Sequence, residues 1–143
     1  MKYNRGTEPI MKTARARHSA SGAPRGGGIC NMISIASDHG GYRLKEHIKA
    51  YLTAKGINVL DCGCDSQESC DYPIFAKAAA VAVADGRCEK GIVICTTGIG
   101  VSITANKVNG IRCALCSDPL CAELTRRHND ANMLAMGAGV IGP

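Results

Sequence analysis

The feature that most constrains this chain is an alternation that begins at Met32, in which short apolar runs are followed each time by a segment whose apolar residues recur at helical spacing. The pattern predicts a strand over 32–36 (MISIA), a polar loop SDHGG, and a helix over 42–55 with Leu44, Ile48, Tyr51 and Leu52 on one face. Gly56 then supplies a residue that accepts the left-handed backbone of a helix end. Further along, the pattern predicts a strand over 57–61, a helix over 73–84 with Pro73 in its first turn, and a strand over 91–95. A helix over 100–107, an Asn109-Gly110 turn, a strand over 111–116, a helix over 119–127 and a strand over 133–136 complete it. Strands that alternate with helices across short loops need crossover connections, so they lie parallel. The expected class is α/β, a three-layer α/β/α arrangement with a parallel sheet of about five strands, Rossmann-like. Ligands bind such sheets beyond the carboxyl ends of their strands, which makes SDHGG, CTTGIG and SDP the candidate loops.

Length and composition agree with this reading. A chain of 143 residues suits one domain and one active site. It has no Trp and a single Phe, which fits strands covered by Ala-rich helices better than a β-sandwich. No apolar run approaches the roughly 20 residues of a membrane-spanning helix, so a soluble protein with no membrane partner is expected. The formal charge of +5 is concentrated before Met32, where Lys2, Arg5, Lys12, Arg15, Arg17 and Arg25 face only Glu8. The remainder is formally neutral, so no broad basic face argues for nucleic acid. Residues 1–31 have no apolar periodicity and are expected to be a disordered basic leader ahead of a domain over 32–143. The nine cysteines are odd in number and several lie inside strand-like runs, which points to free thiols in a reducing cytoplasm. Cys62-x-Cys64 and Cys113-x-x-Cys116 have spacings that metal sites use, but the second pair falls in a predicted strand, where residues three apart face opposite sides. No metal is expected.

Three stretches carry chemistry. In Cys95-Thr96-Thr97-Gly98-Ile99-Gly100 a strand ends on a thiol and turns through glycines into a helix, where converging amides and the helix dipole favour an anion and a thiolate. A buried strand-end cysteine before an ordinary turn fits the same residues. Asp38 and His39 follow the first strand on the same sheet edge, as a proton-shuttling pair or, for Asp38, as a helix cap. Arg126, Arg127, His128, Asn129 and Asp130 stand at a helix end, where basic side chains suit the dipole and His-Asn-Asp is expected to continue into a loop.

In this order, IASDHGG, DYPIFA, IVICTTGIGVSITANKVNGIR, RRHNDANMLAMG and VIGP resemble the type B ribose-5-phosphate isomerases, relatives of the galactose- and allose-6-phosphate isomerases. The resemblance runs over the whole segment 32–143. It implies interconversion of ribose 5-phosphate and ribulose 5-phosphate through an enediolate, without metal or organic cofactor. It makes Cys95 the base, His128 the residue that opens the sugar ring, and Asp38, His39, Tyr72 and Asn129 substrate contacts. Thr96, Thr97, Gly98, Ile99 and Gly100 become the loop that holds the developing oxyanion. The resemblance also implies a cytoplasmic homodimer, or a dimer of dimers, with active sites shared between subunits.

Three departures from the family pattern stand out. Thr96 occupies a usual Gly position, Gly139 stands where many members carry a phosphate-binding Arg, and the sequence ends at Pro143, where relatives continue into a C-terminal helix and tail. The domain is therefore expected to lack that helix, with Arg126 and Arg127 the nearest remaining cations for a phosphate. A hexose-6-phosphate isomerase and a non-catalytic α/β ligand-binding module remain the alternatives. The second lacks a GxxxxGK[ST] phosphate loop or a dinucleotide GxGxxG pattern.

Overall fold

The computed structural model describes residues 31–142, so residues 1–30 of the expected leader, with Cys30, and Pro143 lie outside the described residues. Five strands, β1 (Met32–Ser37), β2 (Asn58–Asp61), β3 (Lys90–Cys95), β4 (Cys113–Leu115) and β5 (Met133–Gly137), alternate with four helices. The helices are α1 (Tyr42–Ala54), α2 (Tyr72–Ala84), α3 (Ile99–Asn106) and α4 (Pro119–Asn129). The strands form one parallel sheet in the order β2-β1-β3-β5-β4.

Alternation along the central strands sorts the helices onto two faces. Val93 and Cys95 of β3, with Met133 and Ala135 of β5, pack against α2 and α3. Ile94, with Ile35 of β1, packs against Leu44 of α1 on the other face. The α2 face is built for close approach. Ala76, Ala79, Ala80 and Ala82 are all buried, and Ser34 Oγ donates to the Ala79 carbonyl at 3.0 Å. Small side chains let the helix backbone come near the sheet, which explains a core so rich in alanine and so poor in aromatics.

The other face is more thinly covered. Among the residues of α4 none is buried, and an apolar groove lined by Ile33, Ile92, Ala122 and Leu134 runs beside it. No helix among the described residues is long and apolar enough to cross a membrane.

Two local expectations need correction. Only Cys113–Leu115 of the run 111–116 forms β4, because Ile111 and Arg112 spend their amides on Val108 O and on Asn132 Oδ1, at 3.2 and 2.9 Å. Cys116 therefore follows the strand instead of sharing it with Cys113. His128 and Asn129 are helical, and the chain leaves α4 through Asp130 in a left-handed conformation (φ 48°).

Candidate active site

The sheet order reverses between β1 and β3: from β1 the chain first goes to β2 on one side, then crosses to β3 on the other. Loops leaving two such neighbours diverge to opposite faces and open a crevice at the strand ends. Register places Ser37 beside Ile94 and Cys95 beside Gly137, which brings Asp38, Cys95 and the end of β5 to one edge.

Cys95 is buried, and its Sγ accepts the Gly98 amide at 3.1 Å. Gly98 caps α3 in a left-handed conformation (φ 78°), and a Cβ there would lie 2.5 Å from Leu115 Cδ1 and 2.8 Å from the Met136 backbone. Only glycine meets both the dihedral and the space. The thiol thus lies at the N-terminal end of α3, hydrogen-bonded by the first free amide of that turn. Thr97 Oγ1 accepts the Ile99 amide at 3.3 Å, and the Tyr72 ring packs on the first turn of α3, 2.7 Å from where a Gly100 Cβ would stand.

The β1–α1 loop closes over the same edge. The Asp38 amide donates to Ile94 O at 3.3 Å, and its Oδ1 accepts the Gly41 amide at 3.0 Å. Asp38 thereby shapes the turn before α1, whose N-cap is Gly41, and does not cap the helix itself. The Cys70 amide donates to His39 Nδ1 at 3.2 Å, so in the neutral ring Nε2 carries the proton. Thr96 reaches across to this loop. Its Oγ1 lies 2.3 Å from where a Gly40 Cβ would be, and its Cγ2 lies 3.2 Å from a Gly139 Cβ position. The two departures at 96 and 139 are therefore spatial neighbours: the threonine methyl occupies room that a side chain at 139 would need.

A cavity of about 320 Å³ opens beside His39, lined by Gly40, Arg43, Leu44, Gln67, Ala138 and Ile141. Arg43 Nε donates to Gln67 Oε1 at 2.9 Å, which fixes the guanidinium at the cavity. Sequence reasoning missed Arg43, because one arginine on an amphipathic helix carries no signal until the fold sets it beside His39. Among the described residues no three His, Cys, Asp or Glu side chains converge as metal ligands would.

His128 and Asn129 do not join this constellation within the chain. Helix α4 starts beyond the end of β4 and returns to the edge where β5 begins. Both residues are thus separated from Cys95 by roughly the 15 Å length of a strand. The Asn129 carbonyl accepts from Arg112 Nε, while Arg126 pairs with Asp130 and Arg127 with Glu123, both at 3.1 Å.

Comparison with known proteins places the chain. The family model described as Ribose/Galactose Isomerase matches residues 33–143. Ribose-5-phosphate isomerase B of Escherichia coli is 49% identical over 110 residues, covering 77% of this chain and 74% of that protein. D-erythrulose-4-phosphate isomerase of Pectobacterium atrosepticum is 46% identical over 112 residues, with 78% and 74% covered. The structure of Clostridium thermocellum ribose-5-phosphate isomerase B superposes with a TM-score of 0.77 at 52% identity, over 78% of this chain and 75% of that one. The type B enzyme of Trypanosoma brucei gives 0.75 at 42% identity, over 78% and 76%. On its sequence and its parallel α/β sheet alike, the chain belongs to the Ribose/Galactose Isomerase family, a family of sugar-phosphate isomerases.

Proposed function

We propose that this protein is a cytoplasmic aldose-ketose isomerase that interconverts ribose 5-phosphate and ribulose 5-phosphate through an enediolate. The observation that carries the reading is the Cys95 thiol, buried at a strand end and accepting the Gly98 amide at the start of α3. A thiol so placed takes the proton from the carbon next to the carbonyl, with the Gly98 amide holding its sulfur in position for the transfer. The proton returns to the neighbouring carbon after charge has moved through the enediolate. The amides of residues 96–100 stabilise the oxyanion with dipoles already oriented before reaction. Asp38, His39, Tyr72 and Thr96 contact the sugar, and Arg43 with His39 receives the phosphate in the cavity they line.

His128 opens the ring, with Asn129 binding beside it, from the second subunit of a dimer. The remoteness of these residues from Cys95 in their own chain supports that arrangement. So do the exposed Ile74, Ile99 and Ile103, which leave an apolar surface next to the site on α2 and α3.

Among relatives, an erythrulose phosphate isomerase at 46% identity shows that sugar length varies around this scaffold. Turnover of purified protein on ribose 5-phosphate, erythrulose 4-phosphate, allose 6-phosphate and galactose 6-phosphate tests the assignment. The expected result is the largest kcat/KM for ribose 5-phosphate. A clear preference for a four- or six-carbon sugar would move the substrate, and absence of turnover on all four would refute isomerase function.

A further inference from the structure

Helix α4 carries His128 and Asn129 in its last turn, yet none of its residues is buried. Burial therefore does little to fix that turn, and a cavity of about 370 Å³, lined by Arg112, Cys113, Thr125 and Asn129, lies between it and β4. What holds the turn is polar. Arg126, on the helix itself, donates to the Ala131 carbonyl and to the Asp130 carboxylate. Arg112 comes from outside the helix: its Nε donates to the Asn129 carbonyl, one of the last-turn oxygens that a helix leaves without an internal partner. The backbone under Arg112 is itself fixed. Its amide donates to Asn132 Oδ1 at 2.9 Å, its carbonyl accepts the amides of Asn132 and Met133 at 3.0 and 3.2 Å, and Asn132 Nδ2 donates to Gly110 O at 2.9 Å. Met133 opens β5, so this guanidinium ties the end of α4 to the sheet. A cation there also suits the negative end of the helix dipole. His128 is exposed, so its position follows the backbone that carries it.

We propose that Arg112 is a positioning residue for the His128 step: its guanidinium locks the end of α4 and so sets where the His128 ring meets the sugar. The proposal rests on the isomerase reading and on the ring-opening role given to His128 above. Opening breaks the C1–O4 bond of ribose 5-phosphate while O1 gives up a proton, C1=O1 forms and O4 gains a proton. An imidazole suits that exchange, since it accepts and gives protons near neutral pH. Its reach is short: proton transfer needs the two heavy atoms about 2.6–3.2 Å apart, so a helix end that frays takes His128 out of range. Arg112 acts through the helix end alone, and the enediolate step at Cys95 does not depend on it. A displaced Asn129 would show in KM in both directions, so kcat is the quantity to compare.

The test uses a difference between the two sugars. Ribose 5-phosphate closes into a ring through O4, whereas ribulose 5-phosphate has its O5 esterified and stays open-chain. The variant is Arg112→Met in the full chain, which keeps an unbranched stem and has no donor. Its kcat from ribose 5-phosphate should fall about tenfold, the scale of one hydrogen bond from a charged group, while kcat from ribulose 5-phosphate hardly changes. In nitrogen-15 relaxation the amides of His128, Asn129 and Asp130 should gain motion relative to the rest of α4. Equal losses in both directions, or no loss from ribose 5-phosphate, would overturn the positioning role. Unaltered motion at these three amides would overturn the lock. Should Arg112→Met fail to fold, Arg112→Lys, which keeps the charge but lacks the Nε donor, carries the same comparison. Unaltered protein that turns over neither sugar would refute the isomerase reading, and relaxation would then decide the lock by itself.

Discussion

Cys95 and Arg43 show two different ways in which a residue becomes functional. Cys95 is legible locally: a strand-end thiol followed by Thr-Thr-Gly-Ile-Gly implies a turn into a helix start, and the Gly98 amide at 3.1 Å from its sulfur is that turn realised. Replacing it by serine keeps the shape and the amide contact but substitutes a hydroxyl whose pKa is far from neutral. We expect Cys95→Ser to lower kcat for ribose 5-phosphate by about 10²-fold or more, with a smaller change in KM and an unaltered circular dichroism spectrum. Full activity in that variant would remove Cys95 from the mechanism. Arg43 is legible only in three dimensions, since its partner Gln67 lies 24 positions away, in the loop between β2 and α2. Arg43→Gln should raise KM for the phosphorylated sugar by about tenfold or more, the scale of one charge-assisted hydrogen bond, while kcat changes little. Steady-state kinetics at fixed ionic strength makes the comparison.

At the scale of elements, the junction of α1 and β2 shows how a loop near the site is held. Lys45 is only 1% exposed, and its Nζ donates to both carboxylate oxygens of Asp61 at 2.9 and 2.8 Å. Lys49 adds a bond to Asp61 at short range and another to Glu46 at 2.8 Å. Asp61 Oδ1 also accepts the Gly63 amide, and the Gly63 carbonyl in turn accepts the Ser37 amide at 2.6 Å, one residue before Asp38. Burial by itself would raise the Asp61 carboxyl, but the hydrogen bonds from Lys45, Lys49 and Gly63 hold it below its ordinary 3.8. Lys49 is pushed up to about 12, first by its bond to Asp61 and then by Glu46. The depressed carboxyl contributes stability that is complete above its ordinary value and is lost as pH falls through the lower folded value. The raised lysine contributes stability that is complete below its ordinary 10.5 and is lost as pH rises through about 12. Asp61→Asn should therefore flatten both flanks of the stability curve. It should also cost about 2 kcal/mol at pH 7, less than the roughly 3–5 of a fully buried pair, because Glu46 still reaches Lys45 and Asp61 is partly solvated. Urea denaturation across the pH range reads both effects, and unchanged acid and alkaline flanks would show that the network does not carry this dependence.

At the scale of the molecule, the described chain is a sheet whose two candidate catalytic residues stand at opposite ends. Cys95 lies at the carboxyl edge and His128 in the last turn of α4 near the amino edge, so no rearrangement of side chains brings them together. The proposed dimer would supply His128 from a second copy, and Ile74 (68%), Ile99 (52%) and Ile103 (54%) are exposed on α2 and α3. We expect Cys95→Ser and His128→Ala proteins, each impaired in reaction from the closed ring, to recover activity when mixed under conditions of proven subunit exchange. A heterodimer would hold one intact and one doubly altered site. No recovery despite exchange would refute the shared site.

The sequence alone determined the order and type of the elements, because period-two and period-3.6 apolar patterns depend only on neighbours along the chain. Gly56 and Gly110 mark turns in the structure as the pattern predicted, both with positive φ. The Cys-Thr-Thr-Gly-Ile-Gly turn was legible for the same local reason. Element ends were less so. The apolar run 111–116 promised a longer β4 than forms, because the amides of Ile111 and Arg112 are claimed by Val108 and Asn132, and residue 132 lies twenty positions beyond Arg112. His128 and Asn129 stayed helical because α4 continues to the left-handed Asp130, a stop that the sequence leaves unmarked by glycine. Only the tertiary structure decided that Thr96 shares its space with Gly40 and Gly139, that Arg43 meets Gln67, that Lys45 is buried on Asp61 and that His128 stands away from Cys95. Each of these depends on strand order and on which face a helix covers, and those follow from the packing of distant segments, on which local periodicity is silent.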